Sequence, residues 1–315
     1  MTKKLLSAER VFVMGCAMVL VLFYHAPWIN HPLIFPLRLY GLFGVDIFFF
    51  LSGFGIAHSL ERNSSLARFA RRRLIRLVPS CLLVGAMAVA CCLLLPVGNA
   101  LGEPGWLMLT SLNQWFIVTL LIYYALSPLL LRWIKSHVVP IIIVTYIICT
   151  ALINVPYYDT VIAWSAARLP VYVLGLTLGS GVWNPHGRQW WFLTCMLIVG
   201  LGLRFWLAYT NQWYTHQFLN LGTFILISPG IVVLTRLLAL CGRWLKSRRI
   251  VHTVVELIGT SSLEIYLSHG YIYSLITLGT ANYPLMSGWW RLALGLTLGI
   301  GAGICIRLII KRVMA

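Results

Sequence analysis

The chain has 315 residues, of which 60% are hydrophobic and only 10% charged, and its mean hydropathy is +0.88. Soluble domains carry roughly 25% charged residues, so a water-soluble globule is excluded and an integral membrane protein is indicated. The formal charge of +17 does not point to nucleic acid, because the basic residues are dispersed over the connections between apolar segments with no DNA- or RNA-reading module among them. Eight cysteines occur without a C-x-x-C pair. They read as small buried apolar residues, with neither a disulfide framework nor a zinc site.

About 20 apolar residues cross a ~30 Å hydrocarbon core. On that measure ten spans follow one another, at 11–29, 38–60, 77–96, 113–131, 138–155, 168–183, 190–209, 218–240, 253–276 and 289–310. The segments are apolar throughout rather than alternating, which predicts helices and excludes barrel strands. The first is too long for a signal-peptide core and lacks an A-x-A cleavage site, so it is expected to remain as the first helix. The expectation is one all-α, polytopic bundle of about ten helices covering residues 1–315, with no separate soluble domain.

Charge orients the spans. Lys3, Lys4 and Arg10 precede the first; Arg62, Arg68, Arg71, Arg72, Arg73 and Arg76 follow the second; Arg132 and Lys135 follow the fourth. Arg188 follows the sixth, Arg243, Lys246, Arg248 and Arg249 the eighth, and Lys311 and Arg312 the tenth. The positive-inside rule reads these connections, and both termini, as cytoplasmic. The opposite connections hold the smaller, mixed set Arg38, Glu103, Asp159, Arg168 and Arg291.

No internal repeat or low-complexity tract is visible. Gly295, Gly299 and Gly303 share one face of the last span and predict close helix packing. The stretch GLGLRF at 200–205 lies inside a span and follows no strand, so it is not a nucleotide loop.

Ionisable residues within spans are informative, because a charge exposed to lipid near a helix centre costs roughly 2.5–3.5 kcal/mol. The candidates among them are His25, Asp46, Arg204, Glu264 and His269. Asp46 is followed by four large apolar residues and demands a partner; it either fixes packing through an ion pair or serves function directly. His25 stands near Trp28, where a histidine either anchors the interface or takes part in chemistry. Glu264 and His269, five residues apart, are poorly placed to pair on one helix face, so Glu264 is expected to meet an arginine of another span.

Six stretches occur in one order: LVLFYHA at 20–26, GVDIFFFLSGF at 44–54, FARRRLIRLVP at 69–79, QWFIVTLLIYYALSP at 114–128, RLPVYVLGLTLG at 168–179 and SSLEIYLSH at 261–269. Together they resemble the acyltransferase-3 family of membrane O-acyltransferases over most of the chain. The resemblance implies transfer of an acyl group, usually acetyl from cytoplasmic acetyl-CoA, to a hydroxyl of a glycan or lipid-linked saccharide at a bacterial inner membrane. Acyl-CoA is then a co-substrate, and no bound cofactor or metal is required. His25 coincides with the family's essential histidine, and Asp46 is its candidate support. A sugar hydroxyl is a weak nucleophile, and a neutral imidazole in hydrogen-bond reach can take its proton as it attacks a thioester.

The family's arginine eleven residues before the histidine is Met14 here. Arg10, one turn earlier, either replaces it toward the donor or only anchors topology. Leu120 and Leu121 stand where many members carry Glu. Arg72, Arg73 and Arg76 keep an R-R-x-x-R spacing that suits CoA phosphates, or else serve orientation and attraction to anionic lipid. Trp115, Arg168, Glu264 and His269 are the acceptor-side candidates, with Trp115 suited to an aromatic belt or to stacking on a sugar. Direct transfer and an acyl-enzyme both remain open. The rival readings are a transporter or flippase, whose path would use the same ionisable residues, and a non-catalytic partner in envelope-glycan assembly.

Overall fold

The computed structural model describes residues 2–28, 38–62, 65–94, 115–153, 160–210, 217–280 and 288–314. Every regular element among them is an α-helix: α1 (Thr2–His25), α2 (Leu42–Arg62), α3 (Leu66–Leu94), α4 (Trp115–Ile153), α5 (Thr160–Ser180), α6 (Arg188–Tyr209), α7 (Gln217–Leu245), α8 (Arg249–Thr260), α9 (Ser262–Gly279) and α10 (Gly288–Val313). Seven are long and apolar enough to cross a membrane, and α8 with α9 forms a bent eighth. The predicted helical membrane bundle is therefore observed. Glu103 and Asp159 lie outside the described residues, as do the outer ends of the third, fourth and fifth predicted spans.

Three boundaries differ from the sequence reading. The fourth and fifth spans join in α4, whose 39 residues would be about 58 Å long if straight, nearly twice the hydrocarbon core. It breaks at His137 (φ −142°, ψ 54°). Pro140 lacks an N–H and its ring crowds the carbonyl of residue 136, which ends the first arm there. Lys135 meets Glu61 at the end of α2, whereas Cys149 comes within electrostatic reach of Arg168, the partner of Asp46 near the start of α2. The second arm thus runs back, and α4 is two spans.

The third span begins earlier than predicted, because the basic run 71–76 is already helical in α3. Arginine, leucine and alanine are good helix formers, and no Gly or Pro interrupts the chain from Leu66 to Val78. The ninth span is not continuous: α8 and α9 meet at 78°. The sequence Thr260-Ser261-Ser262 supplies side chains that compete with helical backbone bonding, and the Thr260 carbonyl accepts a bond from Arg76 at 3.3 Å. The short α8 turns Ile250, Val251, Val254 and Leu257 outward and buries His252 and Gly259 against α1.

Ion pairs gather one end of the bundle. Glu9 of α1 meets Lys246 just beyond α7, while Arg76 of α3 and Arg307 of α10 both approach Glu264 at the start of α9. The start of α1 and the end of α10 lie at this basic end, as the charge pattern predicted. At the centre, α2 and α5 run in the same direction with their backbones in contact. A Cβ on Gly53 would stand 2.3 Å from the Tyr172 carbonyl oxygen, and one on Gly175 would stand 2.1 Å from that of Phe50. The predicted packing face of α10 is also present, since a Cβ on Gly303 would lie 2.3 Å from Ile265 of α9.

Candidate active site

At the end opposite the basic connections, α1 and α9 bring His25 and His269 together with ring centres 4.9 Å apart. His25 Nδ1 donates to the Val21 carbonyl at 3.0 Å, and His269 Nδ1 donates to that of Tyr266 at 2.6 Å. A carbonyl only accepts, so each ring carries its proton on Nδ1 and keeps a lone pair on Nε2. The side chain of Tyr273 ties the two helices by donating to the Leu22 carbonyl at 3.0 Å. Both histidines border a cavity of about 400 Å³ together with Pro27, Ser274 and Thr277; His25 is exposed and His269 buried. Trp28 is fixed beside this cavity by donating Nε1–H to Thr277 at 3.0 Å.

A second cavity, about 180 Å³, opens on the basic half of the bundle and is lined by Arg10, Arg73 and Arg76 with Met14, Ser52 and Ser262. Arg10 does not simply reach for the surface. Its guanidinium packs against Gly55, where a Cβ would stand 2.7 Å from Cζ, so glycine makes room for it. Arg10 Nε is buried without a hydrogen-bond partner among the described residues. Arg73 lies over Phe69 and Tyr124 at 5.4 and 5.5 Å. Arg76 makes a two-pronged contact with Glu264, at 2.5 and 3.2 Å, and Ser80 donates to the same carboxylate at 2.8 Å. Glu264 therefore finds its arginine in another span, as expected, but it sits beside this cavity and not with the acceptor-side residues. Arg72 is exposed, bonded to the Arg68 carbonyl, and does not line the cavity.

One side chain links the linings of the two cavities. Tyr266 borders the basic cavity, packs with its ring tilted against that of Phe116 at 4.8 Å, and has its ring 5.7 Å from that of His269. The sequence reading passed over Tyr266, although its spacing of three residues from His269 in SSLEIYLSH puts both on one helix face. It also passed over Glu9, which is 1% exposed and held by Lys246 and His252 at 2.5 and 3.4 Å.

Asp46 belongs to a third group. Its Oδ1 accepts from Arg168 Nε at 3.1 Å, with both side chains buried. Arg168, expected at the outer interface, is turned into the bundle, where it lies over Trp115 at 5.5 Å and Phe224 at 5.4 Å. Arg204, 1% exposed, stands within electrostatic reach of Asp46 and over Phe43. Among the described residues, Asp46 pairs with Arg168 and His25 with Val21 and His269, and no hydrogen bond, ion pair or ring contact joins the two. The structure thus brings His25 to His269, brings Arg10 to Arg73 and Arg76, and brings Asp46 to Arg168 and Trp115, as three separate clusters.

A family model described as an acyltransferase domain matches residues 14–308, nearly the whole chain. No curated protein and no solved structure matches. A helical membrane bundle holding a histidine pair at one end and an arginine-lined cavity at the other agrees with that match, and the chain belongs to the acyltransferase-3 family of membrane acyltransferases.

Proposed function

We propose that the protein is an O-acyltransferase, and most simply an O-acetyltransferase, which moves the acyl group of acyl-CoA onto a hydroxyl of a cell-surface polysaccharide or lipid-linked glycan at a bacterial inner membrane. The observation that carries this reading is the contact between the two cavities' linings: Tyr266 borders the basic cavity with the arginines, and its ring lies 5.7 Å from that of His269, which borders the other cavity beside His25. Guanidiniums at the basic mouth suit the phosphates of CoA, and the narrow cavity suits its thin pantetheine arm. Met14 and His25 are eleven residues apart on α1, so the thioester travels about 16 Å along the helix, past Tyr266.

At the far side the acceptor hydroxyl lies against His25. Its proton passes to His25 Nε2 as its oxygen attacks the thioester carbonyl. The bond from Nδ1 to the Val21 carbonyl holds the ring in the required tautomer. The tetrahedral adduct collapses with cleavage of the C–S bond, the ester is formed, and the imidazolium returns its proton to the departing thiolate. His269 borders the acceptor cavity and packs against the base. Asp46 acts at a distance, by holding Arg168 and with it the Trp115 ring. Met14 in place of the family's arginine is then met by Arg10, one turn away on the same cavity wall.

The test is release of free CoA from acetyl-CoA by protein in lipid bilayers, with membrane glycan extracts as acceptors, in wild type and His25→Ala. Acceptor-dependent release lost in the folded variant supports the assignment. Equal release by the variant removes His25 from the chemistry, and the absence of thioester consumption with every extract would return the transporter and assembly-partner readings.

A further inference from the structure

A second basic cavity at the same end of the bundle has no part in the reaction above. It has a volume of about 310 Å³ and lies between the start of α1 and the end of α7, with Lys4, Ala8 and Glu9 on one side and Arg236, Arg243 and Lys246 on the other. At 100° per residue, Ala8 is about 160° and Lys4 about 120° around α1 from Arg10. The two cavities therefore sit on different faces of α1, and the helix separates them.

The charges in this cavity do not cancel. Glu9, the one acid in its lining, is already met by Lys246 at 2.5 Å and by His252. Among the described residues no carboxylate pairs with Lys4, Arg236 or Arg243. Arg236 and Arg243 are seven residues apart, which places them on one face of α7 with Arg236 about 10 Å deeper. The Arg236 guanidinium is supported from behind by Trp190, 4.0 Å from the ring centre. Ala8 leaves open the space that a larger side chain would fill. Trp244, 72% exposed, and Leu237, 54% exposed, flank the cavity on α7 and present apolar surface to the bilayer.

We propose that this cavity binds a phosphate ester anion, supplied by the head group of an acidic phospholipid from the leaflet at the basic end. The phosphate is held between Arg236, Arg243 and Lys4, and the acyl chains descend along the outer face of α7. Depth favours lipid over a soluble phosphate: Arg236 lies two turns below the mouth, where a lipid phosphate arrives with its chains already in the apolar phase, and basic pockets between membrane helices bind head groups in this way.

The test compares phosphatidylglycerol with phosphatidylcholine bound to the purified full chain, counted by native mass spectrometry from mixed micelles containing equal amounts of both. The variants are Arg236→Gln/Arg243→Gln, the single variant Lys4→Gln in case the double does not fold, and a control of equal charge loss, Lys311→Gln/Arg312→Gln. Wild type and control are expected to retain phosphatidylglycerol preferentially, and the cavity variants to lose that preference by about tenfold for the double. Equal loss in cavity and control variants would show diffuse charge attraction and overturn the site, as would no preference in wild type. Displacement of the lipid by millimolar inorganic phosphate, with phosphate retained in its place, would overturn the lipid as occupant.

Discussion

His25 and His269 stand 4.9 Å apart, ring centre to ring centre, with each Nδ1 committed to a backbone carbonyl of its own helix. Two imidazoles so held border one cavity, but His25 is the more exposed and His269 is buried. His25→Ala is therefore expected to lower turnover about 10²- to 10⁴-fold, the usual range for a general base. His269→Asn is expected to lower it about tenfold, the scale of one hydrogen bond. Steady-state CoA release at saturating acyl-CoA separates the two, and a reversed order would exchange their roles.

On the proposed route from the basic cavity to the histidine pair, the thioester passes Tyr266. Tyr266→Ala is expected to admit water to the thioester, so CoA release in the absence of acceptor should rise while acceptor-dependent release falls. Tyr266→Phe keeps the ring and should behave as wild type. An alanine variant with no acceptor-independent release would show that the route lies elsewhere.

At the basic mouth, Arg73 and Arg72 are neighbours in sequence and opposites in position. Hydrogen bonds to charged groups contribute about 1.5–3 kcal/mol, so Arg73→Gln is expected to raise KM for acyl-CoA about tenfold or more with little change in kcat. Arg72→Gln, outside the cavity, should leave KM within about twofold, as surface ion contacts do. Equal effects of the two would identify bulk charge as the attraction.

The Asp46 and Arg168 pair is buried, and removing one partner of such a pair costs about 3–5 kcal/mol by stranding the other. Asp46→Ala and Arg168→Ala are each expected to lower the thermal midpoint in detergent strongly, and the double variant to lose less than their sum. Asp46 supporting the site through Arg168 and Trp115 predicts that Arg168→Ala raises acceptor KM as well. Additive losses would mean that the pair is not coupled.

Packing on α10 offers a contrast within one helix. Gly303→Ala would put a methyl group 2.7 Å from Ile265 backbone atoms, whereas a Cβ at Gly301 meets nothing within 4 Å. The first substitution should destabilise by about 1–3 kcal/mol, and the second should stabilise by about 0.5–1 kcal/mol through lower backbone entropy in the unfolded chain. Unfolding midpoints of the two single variants measure the difference.

Hydropathy and charge periodicity by themselves determined that this chain is a helical membrane bundle with its basic connections at one end, because the bilayer imposes span length and backbone satisfaction on any sequence that enters it. The stretches around His25, Asp46, Arg76 and His269 also marked where polar groups enter the apolar phase. What sequence could not determine was their partners. Glu264 was expected to meet an arginine of another span, but only the fold shows that it is Arg76 of α3; Asp46 meets Arg168 and not His25, and Arg10 finds space because Gly55 of another helix provides it. The break before Ser262 was likewise hidden, since it lies in a run whose mean hydropathy satisfies a continuous span, whereas Arg132 and Lys135 had already marked the reversal at His137 as a connection between two spans. Pairings between helices depend on rotation and depth of each helix against its neighbours, which are set by close backbone contacts such as Gly53 with Tyr172 and Gly175 with Phe50. Only tertiary packing, acting through those contacts, separated the ionisable residues into a histidine pair, an arginine-lined cavity at the basic end and a buried ion pair.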